Sequence, residues 1–134
     1  MKFTDLLHVA SSALSAQGTR LRVSAENLAN AGTVNAPGEE AFKRKIVILE
    51  AVSGRDKGPA MVRVGEIAES EEEGAIKYEP AHPKANDQGY VLYPSVSPII
   101  EMADLRDAEK SYRANLQVIE SAKRLVRSAL QIIR

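Results

Sequence analysis

The sequence contains no cysteine, which excludes a disulfide framework, a thiolate metal site and a cysteine nucleophile. Tryptophan is also absent and aromatic residues make up 4% of the chain, so large ring-built pockets are excluded and any core is aliphatic. No excess of either charge exists, because eighteen Lys and Arg face eighteen Asp and Glu. No global field therefore draws the chain to nucleic acid or anionic lipid. No apolar run approaches the eighteen residues of a membrane span, and the opening Met1-Lys2-Phe3-Thr4-Asp5-Leu6-Leu7-His8 lacks the uninterrupted apolar core of a Sec signal. On those facts the default reading is cytosolic, with non-Sec export open. At 134 residues there is room for one compact domain, or a small one carrying two long helical arms.

Proline is missing from residues 4–30, and leucine recurs there at Leu7, Leu14, Leu21 and Leu28 with Ala10, Gln17 and Ser24 between. This heptad of leucine and small or polar residues predicts a long helix suited to close approach by another helix. Thr4 or Asp5 is expected to cap its start, and Gly32, in the left-handed conformation, its end. The last part of the chain mirrors the first: Leu105, Tyr112, Ile119, Val126 and Ile133 fall seven apart, with Ala108, Asn115, Ala122 and Ala129 at the alternate positions. Ser97-Pro98 supplies an N-cap followed by proline at the first helical position, where its missing amide hydrogen costs nothing.

Between the arms, β-type runs at residues 42–52, 61–68, 75–78 and 90–93 are separated by turns at 53–59, 70–74 and 86–89. The expected fold is α+β: long N- and C-terminal helices forming a coiled-coil-like bundle, with a small antiparallel β-rich unit inserted between them. The corresponding divisions are 1–33, 34–96 and 97–134.

Leu6, Val9 and Val23 in the first arm, and Met102, Leu116, Val118, Leu125, Leu130 and Ile132 in the second, lie outside the single stripe. One partner helix cannot cover them all, and a helix of about 30 residues is about 45 Å long. The arms are expected to be covered by neighbouring chains, or by each other and then by neighbours, and to fray in the isolated chain. Taken alone, the heptads leave an intramolecular hairpin and an intermolecular seam equally open.

Other features have bland readings. His8 and His82 lack companion ligands at a metal-binding spacing, and His82 reads as a loop residue. Glu66, Glu69, Glu71, Glu72 and Glu73 read as a solvated turn rather than an acid-base pair. Arg106, Lys110, Arg113, Lys123, Arg124 and Arg127 are interrupted by Asp107, Glu109 and Glu120, which favours a solvated or partner-facing rim over a nucleic-acid surface.

In the first arm, Ser12-Ala13-Leu14-Ser15-Ala16-Gln17, Arg20-Leu21-Arg22-Val23 and Asn27-Leu28-Ala29-Asn30-Ala31 resemble the N-terminal motif of the flagellar basal-body rod and hook family. Many members continue with Thr-x-Gly-aromatic; here Thr33-Val34-Asn35-Ala36-Pro37-Gly38 and Phe42-Lys43-Arg44-Lys45 follow, a departure that resembles the FlgC-type, proximal-rod branch. Tyr78-Glu79-Pro80-Ala81-His82-Pro83, Gly89-Tyr90-Val91, Tyr93-Pro94-Ser95-Val96-Ser97-Pro98, Met102-Ala103-Asp104-Leu105 and Tyr112-Arg113-Ala114-Asn115 are similar to that branch too.

The resemblance implies a structural subunit with no catalysis and no cofactor, assembled with itself, other proximal-rod proteins and the distal-rod protein. It also implies contact with the MS-ring or export-gate adaptor, and passage through the flagellar type III export apparatus without a cleaved signal into the rod crossing the periplasm. No nucleic acid and no direct membrane insertion are expected. It shifts the heptads towards assembly, with Leu7, Leu14, Leu21, Asn27, Leu28, Asn30, Leu105, Tyr112, Asn115, Ile119, Val126 and Ile133 as candidate assembly residues. The competing functions are a cytosolic coiled-coil adaptor or chaperone forming a closed oligomer and, third, a nucleic-acid binder. Asn115, mid-helix with no terminus to cap, is the best candidate for an amide bridging two subunits; Asn30 suits local capping.

Overall fold

The computed structural model describes residues 2–53 and 58–132. Most of the expected 53–59 turn and the candidate residue Ile133 thus lie outside the described residues. Two helices, α1 (Phe3–Asn30) and α2 (Pro98–Ile132), bracket four strands: β1 (Lys45–Val52), β2 (Met61–Glu69), β3 (Ala75–Tyr78) and β4 (Tyr90–Tyr93). This is the α+β arrangement expected.

The start of α1 lies two or three residues earlier than a Thr4 or Asp5 cap would place it. Lys2 is the N-cap, in extended backbone, and the Asp5 carboxylate reaches back to accept the Lys2 N–H at 2.7 Å. Asp5 thus serves as the return half of a capping box. Gly32 does not close the helix in the left-handed conformation. Ala31 stays right-handed with its N–H on the Leu28 carbonyl at 3.3 Å, and Asn30 Nδ2 donates to the Glu26 carbonyl at 2.8 Å. Short-turn bonds to the Leu28 and Asn30 carbonyls, the latter from the Thr33 N–H at 3.0 Å, end the helix without a left-handed residue. Pro98 does open α2, and the Glu101 N–H donates to the Ser97 carbonyl at 3.1 Å.

The β region forms two separate two-stranded antiparallel sheets, β1 with β2 and β3 with β4. β1 starts at Lys45 because residues 42–44 leave the ladder where Arg44 turns towards α2; the Ser70 N–H still reaches the Arg44 carbonyl at 2.7 Å. The β1–β2 register jumps between Ile48, opposite Glu66, and Leu49, opposite Val64. Gly65 is left as the bulged residue, and a Cβ there would run into the Glu50 side chain. Glu66 and Glu69 belong to β2 rather than to a turn; Glu71, Glu72 and Glu73 occupy the exposed connection to β3. Asn35 extends the second sheet by exchanging two backbone bonds with Leu92, at 2.9 and 2.8 Å.

The helices run antiparallel: Asn27 meets Glu101, Arg20 meets Asp107, and Phe3 and Leu6 share a groove with Val118 and Leu125. The core between and beneath them is built from small residues, with Ala10, Ala16, Val23, Ala108 and Ala122 all buried. Such side chains let two helix backbones approach closely, at the cost of little apolar area per contact.

The Asn86 to Gly89 turn forms as expected. Asn86 Oδ1 accepts from the Gln88 and Tyr90 N–H groups at 3.1 and 2.9 Å, and Gly89 has φ +82. A Cβ on Gly89 would lie 2.8 Å from Tyr78 Cε2 and 3.0 Å from Pro80 Cβ. Gly89→Ala should therefore lower stability by about 1–2 kcal/mol in urea titrations. Gly32→Ala is the control: with ordinary φ and nothing within 4 Å of the added methyl, it should be neutral or stabilise by about 0.5 kcal/mol. Equal losses at the two sites would refute this account of the turn.

Candidate assembly interface

The candidate assembly surface has two components: a buried polar clasp that sets the relative position of helices and strands, and the apolar helix surface left over once the hairpin has closed. The clasp centres on Glu101, in the first turn of α2 and 0% exposed. Its Oε1 accepts from Arg44 Nε at 2.5 Å and its Oε2 from Asn27 Nδ2 at 3.1 Å. Arg44 Nη2 also donates to Asp104 Oδ2, one turn along α2, at 3.3 Å. Asn27 is buried and uses both ends of its amide on one residue: Nδ2 donates to the Lys45 carbonyl at 2.8 Å and Oδ1 accepts the Lys45 N–H at 2.9 Å. The amide completes a strand-like pair with the first residue of β1. The Lys45 ammonium, in turn, meets Glu26 Oε1 at 2.5 Å.

Three elements far apart in sequence are thereby tied at one point, and no buried side-chain polar atom among the described residues lacks a partner. Satisfied buried networks of this kind select one arrangement, because sliding either helix by a residue leaves a charge unpaired. The sequence reading singled out Asn27 but not Glu101 or Arg44. A signal existed: Glu101 stands seven residues before Ala108, on the same heptad position as Ala108, Asn115 and Ala122.

Most of the heptad residues are half-buried within the folded chain. Leu105, Tyr112 and Ile119 are half-buried on the α2 face that also carries the buried Ala108 and Ala122. Tyr112 Cε2 lies 3.9 Å from where a Cβ on Gly18 would stand. Leu7, Leu14, Leu21 and Leu28 are likewise half-buried along α1. Val126 is exposed, because it lies just past the level at which α1 begins.

A different set of apolar side chains remains uncovered. On α2 these include Leu125, Leu130 and Ile132, at 69, 62 and 85% exposure, with Met102, Leu116 and Val118; Phe3 and Leu6 of α1 are exposed beside Val118 and Leu125. Phe3, Leu6, Val118 and Leu125 line an open groove of about 360 Å³ between the helices. Val118, Leu125 and Ile132 are themselves seven apart, a second stripe rotated away from the hairpin seam. Exposed apolar side chains grouped in this way make the face a candidate interaction surface.

The remaining asparagines bond locally. Asn30 Nδ2 reaches the Glu26 carbonyl and Asn115 Nδ2 the Ser111 carbonyl, each at 2.8 Å. Asn115, half-buried, thus spends a donor on its own helix, which leaves its Oδ1 for another partner. A bridging role predicts that Asn115→Leu preserves association while disordering the assembled tube. Normal assemblies from Asn115→Leu protein, seen by electron microscopy, would rule out bridging.

The smaller motifs sit apart from this surface. His8 is exposed on α1, and His82 lies in the loop after β3, where its Nδ1 accepts the Lys84 N–H at 3.1 Å. Arg113 pairs with Glu109 on its own helix. Partial burial, and then the Glu79 carboxylate 3.1 Å away, raise the Tyr93 phenol above its ordinary value. No helix is long and apolar enough to cross a membrane among the described residues.

Comparison with known proteins matches both arms. Residues 7–36 fit the family described as "Flagella basal body rod protein", and residues 87–132 the one described as "Flagellar basal body rod FlgEFG protein C-terminal". Over the whole chain, similarity extends to proteins named "Flagellar basal-body rod protein FlgC". The one from Agrobacterium fabrum is 38% identical, covering 94% of this chain and 91% of its own. That of Salmonella typhimurium is 33% identical, covering 98% of each, and that of Bacillus subtilis 35% identical, covering 94% and 95%.

Proposed function

The chain belongs to the flagellar basal-body rod family, in its FlgC branch, and from that membership we propose that it takes its place in the proximal rod, the part of the driveshaft nearest the motor. It is a structural rod subunit of the basal body. The observation that carries its mode of action is the apolar helix surface still open after the chain has folded on itself, above all Leu125, Leu130 and Ile132. Identical or related subunits joined by non-closing contacts generate a helical tube. Long helices aligned along such a tube resist twisting through many parallel contacts, which suits torque transmission, and the clasp at Glu101 makes each subunit move as one body. Nothing in this role calls for catalysis. Its partners on this reading are copies of itself, other proximal-rod proteins, the distal-rod protein and the adaptor at the MS ring or export gate, reached through type III export with no cleaved signal.

The adaptor or chaperone reading gains no support from the comparisons, whose relatives are rod proteins. The test is a deletion of the gene followed by complementation. The deletion strain should be non-motile, and basal bodies isolated from complemented cells should contain the chain with its N-terminal segment intact. Motile deletion cells, or basal bodies lacking the chain, would refute the proposal.

A further inference from the structure

A second unpartnered apolar surface lies at the opposite end of the molecule. In the β3–β4 hairpin the register pairs Ile76 with Leu92 and Tyr78 with Tyr90, which puts these four side chains on one face. Ile76 and Tyr78 are 63 and 65% exposed, and the Tyr78 and Tyr90 rings pack edge to face at 5.3 Å. With Phe42, Ile76 and Leu92 floor a groove of about 410 Å³ whose rim carries Glu71, Glu72 and Glu73 together with Lys43, whose ammonium is paired with Glu40 at 3.6 Å, so the rim is acidic on balance. The other face of the hairpin is turned inward, with Val91 at 0% exposure. An apolar floor with an acidic rim selects an amphipathic helix whose polar side is basic.

The chain carries such a helix. Beyond Phe3, where α1 begins, α2 continues unaccompanied to Ile132. At 100° per residue, Leu125, Val126, Ala129, Leu130 and Ile132 occupy one half of its circumference, and Lys123, Arg124 and Arg127 the other. Its apolar half is exposed at each of the four large positions. The groove and the helix end stand at opposite ends of an antiparallel hairpin, so they cannot meet within one chain, and their contact between chains is heterologous and non-closing.

We propose that the Phe42, Ile76 and Leu92 groove receives the C-terminal end of α2 from a second copy of this chain, with Lys123, Arg124 and Arg127 set against Glu71 and Glu73. This deepens the rod-subunit reading, on which it rests, by naming what one subunit's strand hairpin holds. The apolar half of the helix supplies the affinity, and the charges fix its direction and register and exclude helices with acidic flanks.

The absence of cysteine makes a cross-linking test clean. Purified Ile76→Cys chain is mixed with Leu130→Cys chain under dioxygen and copper phenanthroline, which oxidises two thiols to one disulfide. The two chains should join, while Ile48→Cys, exposed on the outer face of β1, should give at least about tenfold less product with the same partner. Lys123→Glu with Arg124→Glu and Arg127→Glu in the helix donor should lower the yield about tenfold, and Glu71→Lys with Glu73→Lys in the groove chain should restore it. Equal yields from Ile76→Cys and Ile48→Cys, or no rescue by the reversed charges, overturn the proposal. In isolated basal bodies, Ile76→Cys captured by a different rod protein overturns the choice of occupant. Because the chain's presence in basal bodies is scored separately, a chain that enters them without this cross-link refutes the groove assignment and leaves the rod-subunit reading intact.

Discussion

Leu125→Asp combined with Leu130→Asp should abolish swimming and rod assembly while leaving the isolated chain as stable as wild type. Both side chains are more than three-fifths exposed in the folded chain, so a carboxylate there meets water and the folding free energy should change by no more than about 0.5 kcal/mol. In an assembled tube the same positions are covered on our reading. Each leucine then contributes about 1.5–3 kcal/mol on burial, and the replacing carboxylate is either desolvated or forces the contact apart. Leu21→Asp and Ile119→Asp, in the half-buried seam of the hairpin, should instead lose stability and assembly together, by about 2–4 kcal/mol in unfolding. Glu72→Ala, in the exposed connection between β2 and β3, is the silent comparison. Three measurements separate these cases: urea midpoints, soft-agar motility, and electron microscopy of basal bodies. Motile Leu125→Asp/Leu130→Asp cells would refute the assignment of the exposed α2 stripe to assembly.

Arg44→Met should be the most damaging single replacement in the clasp. It leaves the fully buried Glu101 carboxylate with only the Asn27 amide as partner, and removing one member of a buried pair typically costs about 3–5 kcal/mol. For a domain of this size that corresponds to a fall in Tm of about 10 °C or more. Glu101→Gln should cost less, about 1–3 kcal/mol, because its Oε1 still accepts from Arg44 and the partly exposed guanidinium keeps Asp104 and water, while its NH2 is set against the Asn27 Nδ2 donor that the carboxylate accepted from. The double variant Arg44→Met with Glu101→Gln should therefore be more stable than Arg44→Met alone. Calorimetry of the three proteins decides this: an Arg44→Met chain no less stable than Glu101→Gln would show that the buried carboxylate does not depend on its guanidinium.

The local elements were legible because their signals are carried by near neighbours along the chain. Seven-residue spacing marked both helices, Pro98 marked the first position of α2, and the Asn86 to Gly89 turn carried its own side-chain acceptor and its left-handed glycine. Family membership was legible for a related reason: the Asn27-Leu28-Ala29-Asn30 motif and its companions are contiguous segments. The surplus of apolar positions on α2 could also be counted before any partner was known.

Which apolar stripe the chain covers itself was decided by tertiary structure alone. The periodicity of Leu105, Tyr112 and Ile119 is the same whether α1 of the same chain or a neighbouring chain lies against it. Only the closed hairpin shows that this seam is used internally and that Leu125, Leu130 and Ile132 are left over. The division of the β region into two sheets was equally hidden, because strand partners are chosen by packing and not by strand propensity. Glu101 gives the clearest case. Read along the chain it is an ordinary acidic residue in the first turn of a helix; its burial, and its hold on Arg44 and Asn27, depend on residues 57 and 74 positions away. Helical and turn preferences are set by atoms within a few residues, whereas the position of a buried charge is set by whichever distant groups the folded chain brings close enough to replace its water.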